Sequence, residues 1–197
     1  MSSAAPDLPA LLGSRICHDL ISPIGAIANG VELLRLTGAA NGPEIELIAE
    51  SAAQANARIR FFRVAFGAAH RGQSLSASEI RSILADPGAA GRLAVDWQAE
   101  GGVPRAEARL VFLLLQCLEA ALPAGGAVQV DRQGDGWRLS ADGPRIAADP
   151  ELWSALSGGS VPAQAAQVQF LLAAAAAEAL GRRIGTHATE DGITITV

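Results

Sequence analysis

Among the residues of this chain that could do chemistry, one histidine stands apart. His18 lies in SRICHDLISPIGAIANGVELL, Ser14 to Leu34, where apolar residues recur at helical spacing. With Ile16 at zero and about 100° per residue, Ile16, Leu20, Pro23, Ile27, Val31 and Leu34 form one stripe. His18 lies about 200° round from that stripe, and Ser14, Ser22, Gly25, Asn29 and Glu32 fall within about 40° of it. The imidazole is therefore expected to face solvent among small or polar neighbours. Such a histidine can be a metal ligand, a general base or a phosphoryl carrier. Metal binding wants a second ligand at helical spacing, and neither His70 nor His187 supplies one. Hydrolysis wants a nucleophile, and Ser22 is within helical reach but has no oxyanion-hole motif with it. Carrying a phosphoryl group wants an acid to orient the ring and space for a docking partner. Asp19 is the adjacent acid, and Ser22 and Gly25 leave the space.

Two long helices must position this histidine. The first is expected from Leu8 to about Leu36, continuing through Pro23. TGAANGP, Thr37 to Pro43, reads as a turn, with Pro43 opening a second helix to about Ala69. In that helix Ile45, Ile48, Ala52, Ala55, Ile59, Phe62 and Phe66 alternate steps of three and four as a heptad seam. The pair forms an antiparallel hairpin, and a lone hairpin cannot bury such a seam. Two hairpins meeting as a four-helix bundle would make a homodimer; the alternative is that the seam packs on the rest of the same chain. RGQS, Arg71 to Ser74, breaks the pattern. The expected domains are residues 1–72, a helical hairpin for dimerisation and phosphotransfer, and residues 73–197.

In the second part, Ser76 with Glu79 forms a capping box for a helix to about Ala85. Strands are expected at Leu93 to Gln98, Ala127 to Arg132 and Trp137 to Ala141, with an apolar helix from Glu107 to Leu122. A short helix, Asp149 to Leu156, precedes a long one, Gln164 to Leu180. A closing hairpin follows, Ile184 to Thr189 and Ile193 to Val197. The fold class is α+β, a sheet with helices on one face.

Composition narrows the function. Net charge is −5, which argues against non-specific nucleic-acid binding. All 15 basic residues are arginines, so lysine chemistry is excluded, the P-loop lysine included. The longest apolar run, Phe170 to Ala177, is too short to span a bilayer, and MSSAAPDLPA has no signal-peptide core, so a cytoplasmic protein without membrane contact is expected. Cys17 and Cys117 match no metal spacing and read as small buried hydrophobes.

HDLISP, His18 to Pro23, resembles the H-box of histidine-kinase dimerisation domains: a histidine, an acid, and a proline five residues on. The longer run SRICHDLISPIGAIANGVELL is similar to bacterial histidine phosphotransferases of the ChpT type. ALPAGG and the closing ALGRRIGTHATEDGITITV resemble the corresponding parts of a kinase ATP-binding domain. The departures point away from a kinase. Aligned on ALPAGG, the two N-box asparagines fall at Leu113 and Cys117. The first glycine box survives only as Asp142-Gly143-Pro144-Arg145, and VPAQAAQV, Val161 to Val168, replaces the second without a glycine. A phosphate cradle needs amides that glycine exposes.

The resemblance thus implies a histidine-kinase-like α/β sandwich whose ATPase part is degenerate, and a dimeric phosphotransferase without ATP-dependent activity. It implies phosphohistidine at His18, fed by the receiver of a CckA-like hybrid kinase and passed to CtrA-like or CpdR-like response regulators in cell-cycle control. Asp19 is expected to orient the imidazole. No cofactor is expected on this chain; Mg2+ should come from the partner's receiver pocket. Arg15, Ser22, Gly25, Asn29, Arg60 and Arg63 are the expected partner-binding residues. Arg58, Arg60 and Arg63 lie as far past the turn as His18 lies before it, although each singly also fits a solvated helix face. His70 and His187 read as incidental, and Trp97, Trp137 and Trp153 as core anchors. The rival readings are a non-catalytic pseudokinase-like module that binds a response regulator, and a degenerate but active histidine kinase.

Overall fold

Hydrophobic periodicity builds the hairpin first. The computed structural model describes residues 8–37, 43–159 and 164–197; the expected tip of the TGAANGP turn and part of VPAQAAQV lie outside them. Helix α1, Leu8–Thr37, runs unbroken through Pro23. Helix α2, Pro43–Ala65, returns beside it. Leu12, Ile16 and Leu20 meet Ile59, Phe62 and Phe66 around one apolar hollow, so early α1 lies against late α2, as an antiparallel pair requires. α2 stops four residues before the expected Ala69. The reason lies outside the helix: Arg105 donates to the carbonyls of Arg63 and of Val64, the latter at 2.7 Å, and so satisfies the helix's last acceptors.

The rest forms a sheet with helices on one face. Strands β2 (Leu93–Trp97), β4 (Gly126–Gln133), β5 (Gly136–Asp142), β7 (Ile193–Thr196) and β6 (Gly185–Ala188) lie side by side in that order. β2 and β4 are parallel and the other pairs antiparallel. Val130, Leu139 and Ile195 are in register across β4, β5 and β7, and Val128, Ala141 and Ile193 form a second row. Both rows are buried while their strand neighbours alternate outward, the period of two that revealed these strands. Strand β1, Ser74–Ser76, pairs with β3, Gly102–Pro104, as a ribbon that the sequence reading did not anticipate. Three residues are too few to display an alternation.

Helix α3, Ala77–Ala85, starts as its cap dictates: Ser76 Oγ accepts from the Glu79 amide at 3.1 Å. Helix α4, Arg105–Ala121, is buried continuously from Leu110 to Leu118. Helix α5, Pro150–Ser154, is capped by Asp149 and runs into a 3₁₀ turn, Ala155–Ser157. Helix α6, Val168–Ala179, is shorter than expected because its start is a separate 3₁₀ turn, Ala165–Gln167. Trp97, Trp137 and Trp153 are all buried, as their role of anchors demands.

α2 docks on this layer through aromatic packing. Phe61 and Phe112 of α4 stack with ring centroids 4.7 Å apart, and Ala57, Phe61, Phe62, Val64 and Ala65 share one hydrophobic cluster with α4 and the sheet. Burying a side chain such as Phe61 is worth about 1.5–3 kcal/mol, so this contact holds the base of the hairpin. The heptad seam is thereby divided: Ala55 and Phe62 are covered by the chain itself, whereas Ile45 is 40% and Ile59 43% exposed.

Cys117 sits in the same core, fully buried, and burial pushes its thiol well above the usual range. The side chain of Cys17 lies outside what is described. In a Cys17→Ser background, Cys117 should react with a thiol reagent only through unfolding, slowed by about 10³-fold or more. Stopped-flow labelling across urea concentrations checks this, since the reactive fraction should follow the global transition.

Candidate functional site

The exposed face of α1 forms where small and polar residues follow His18 at helical intervals. Ser22, Gly25, Asn29 and Glu32 are all exposed. A methyl group built on Gly25 would meet nothing within 4 Å. His18 itself lies in α1 between Cys17 and Asp19; the expected orientation of its imidazole falls outside the described side chains.

Asp19 does not stand alone beside it. Its Oδ2 accepts from Arg15 Nε at 3.2 Å, one helical turn back, and from Arg58 Nη2 of α2 at 2.9 Å. The same Arg58 nitrogen donates to Glu119 Oε2 of α4 at 3.0 Å, and Arg58 Nη1 donates to the Ala89 carbonyl at 3.0 Å. Glu119 Oε2 also accepts from Gln116 Nε2 at 2.9 Å, and Arg15 Nη1 donates to the Ala166 carbonyl at 2.7 Å. The Arg58 guanidinium lies 4.9 Å from the Phe62 ring centroid, a stacking that its planar cation suits. Two arginines and two carboxylates, with side chains only 9–14% exposed, thus sum to zero charge. Buried charge is tolerable only when paired in this way. Asp19, Ser22, Pro23, Arg58, Arg92 and Glu119 line an open groove there, floored by Gly88 and Gly91.

The other expected residues divide. Arg15 is largely buried in the network and is no free docking cation. Arg60 turns to α3, paired with Asp86 and donating to Ser82 Oγ at 3.2 Å. Arg63 is exposed and sits at the end of α2, between the hollow lined by Leu12, Ile16 and Leu20 of α1 and a second one lined by Val64, Leu75 and Arg105. So of the three arginines expected level with His18, Arg58 is the one that reaches Asp19. The sequence places Arg58 level with His18 without marking it as a partner-binding residue, and gives no sign of Glu119. The sequence offered only the position of Arg58 beside Ile59 at the edge of the seam; its burial with Ser51, Ala55 and Phe62 is what the structure adds.

The kinase-like positions in α4 are occupied otherwise. Leu113 and Cys117, where the N-box asparagines would fall, are both fully buried. Gly143, left from the first glycine box, packs against the Gly125 carbonyl, which an added methyl would approach to 2.6 Å. Among the described residues, no three of His, Cys, Asp or Glu gather as a metal ion would need, and no helix is long and apolar enough to cross a membrane.

Residues 77–192 match the family model of the histidine phosphotransferase C-terminal domain. The protein phosphotransferase ChpT of Brucella abortus (strain 2308) is 33% identical over 201 residues, covering 98% of this chain and 96% of that protein. The chain belongs to the histidine phosphotransferase family, of the ChpT type. The structure of a bacterial phosphotransferase solved at 1.7 Å superposes with a TM-score of 0.82 at 33% identity, covering 100% of this chain and 98% of that one. Membership makes the protein a transferase of phosphoryl groups within a phosphorelay.

In this phosphotransferase Arg58 joins Asp19, Glu119 and the Ala89 carbonyl. Arg58→Ala would remove the cation paired with Glu119 and one of the two paired with Asp19, at a cost of about 3–5 kcal/mol, and should lower Tm by about 10 °C. Arg58→Met combined with Glu119→Gln, which leaves the Arg15–Asp19 pair intact, should recover most of that loss. Differential scanning calorimetry of the two variants checks both statements.

Proposed function

We propose that this chain is the histidine relay between an upstream receiver domain and a downstream response regulator. A nitrogen lone pair of neutral His18 attacks the phosphorus of the receiver's aspartyl phosphate. The N–P bond forms as the P–O bond to the carboxylate breaks, and the carboxylate leaves with that electron pair. The reverse exchange delivers the phosphoryl to the regulator's aspartate. Asp19, already anchored through Oδ2, orients the imidazole and keeps its other nitrogen protonated. The observation that supports this most is the contrast beside His18: a rigid ion-paired network through Asp19, and an open strip of Ser22, Gly25 and Asn29 along the same helix.

Both exchanges use the Mg2+ of the partner's own acidic pocket, and no nucleotide is required. A CckA-like hybrid kinase upstream and CtrA-like or CpdR-like regulators downstream are the partners that the ChpT likeness suggests, with a cytoplasmic place in cell-cycle control. Ser22, Gly25 and Asn29 are the proposed docking surface; Arg60 and Arg63 form a second contact further along α2.

The working unit is a homodimer. Ile24, Val31, Leu33, Leu36, Ile45 and Leu47 are exposed along the outer hairpin, Leu36 by 74%. A second copy laid against them completes a four-helix bundle and removes this apolar surface from water. Leu36→Lys with Leu47→Lys should yield monomers by light scattering; an unchanged dimer would place the interface elsewhere.

The test of the relay is phosphorylation by a labelled receiver. His18→Ala should accept no label while melting within about 2 °C of the parent, the size expected of a surface substitution. Label retained on His18→Ala would overturn the assignment. Gly25→Arg fills open space and gains about 1 kcal/mol of helix propensity, yet should slow labelling by the receiver, because the docking partner loses its close approach. Equal labelling of Gly25→Arg and parent would remove this face from the docking surface.

A further inference from the structure

We propose that Glu119 is a positioning residue for phosphotransfer, acting through the Arg58 guanidinium on the carboxylate of Asp19. It rests on the relay reading above and extends it to the C-terminal layer, which would then set the geometry beside the histidine as well as support the hairpin.

The seat of Glu119 is built from three sides. Its Oε2 accepts from Arg58 Nη2 at 3.0 Å and from Gln116 Nε2 at 2.9 Å. Its carboxylate lies against Gly91, where an added methyl would come within 1.7 Å of Oε1. Gly91 also has φ +67°, so the loop from Asp86 to Arg92 turns at this point to admit the carboxylate. Glu119 belongs to α4 and Asp19 to α1, and the hydrogen bonds that join them run through a single nitrogen, Arg58 Nη2.

That nitrogen is held between two anions. Removing the charge of Glu119 leaves Asp19 as the sole anionic partner of Arg58, and the guanidinium and Asp19 then settle together in a new position. A shift of about 1 Å in a reacting constellation can cost 10²-fold in rate. A merely structural Glu119 would instead pin α4 to the hairpin, and its loss would appear in stability and not in turnover.

Two substitutions separate these roles. Glu119→Gln keeps the shape and removes the charge; Gly91→Ala keeps the charge and displaces the carboxylate, with a backbone strain at φ +67° that the melting control reads separately. Each is assayed with a phosphorylated receiver over a range of concentrations, at a temperature where circular dichroism shows the variant folded. Both should lower kcat by about 10-fold to 100-fold with the KM for the receiver unchanged. The double variant should be no slower than the slower single, since both act on one carboxylate. Unchanged kcat in folded Glu119→Gln, or a loss confined to KM, would overturn the proposal. Failure of the parent itself to accept label would instead overturn the relay reading on which it rests.

Discussion

The Arg58 guanidinium is where the separate parts of this molecule meet. It reaches Asp19 on the histidine helix, Glu119 on the buried helix of the C-terminal layer, and the Ala89 carbonyl in the loop between α3 and β2. Arg15 extends the same connection to the turn before α6. These side chains are only 9–14% exposed at the edge of the groove, so each leans on the others to remain charged at tolerable cost. Stacking on Phe62 adds an orientation that a lysine could not supply. The consequence is geometric: α1, α2, α4 and two loops must keep one mutual arrangement around the residue that follows His18.

That constraint explains what the C-terminal layer contributes. Its central helix, α4, is committed to packing, with Leu113 and Cys117 interior, and beyond it Gly143 closes against Gly125. One apolar side of α4 receives Phe61 from the hairpin, and its last turn provides Glu119. The layer thus acts as a support for the histidine helix. The hairpin is held at its base by aromatic packing and near the histidine by charge.

Most of the fold was legible because its signals are local. The Ser76–Glu79 box, the Asp149 cap and the alternation in β4 and β5 each lie within a few residues, and each produced its element. What was not legible is set from a distance. The end of α2 depends on Arg105, far along the chain, and the β1–β3 ribbon is too short to carry a pattern. The site divides in the same way. The open strip Ser22, Gly25 and Asn29 follows from helical geometry alone. Arg58 lies at the edge of the seam, and a wheel cannot say whether such a charge turns inward. That was decided by Asp19 and Glu119 arriving from two other helices.

The central claim is that His18 receives phosphoryl groups from an aspartyl phosphate and not from ATP. The most direct measurement incubates the unaltered protein in parallel with a labelled, phosphorylated receiver plus Mg2+ and with labelled Mg–ATP alone, followed by peptide mapping. The relay mechanism requires acid-labile, base-stable label on the peptide containing His18 in the first incubation and none in the second. Label on that peptide from ATP alone would contradict it, and would make the protein an ATP-dependent kinase.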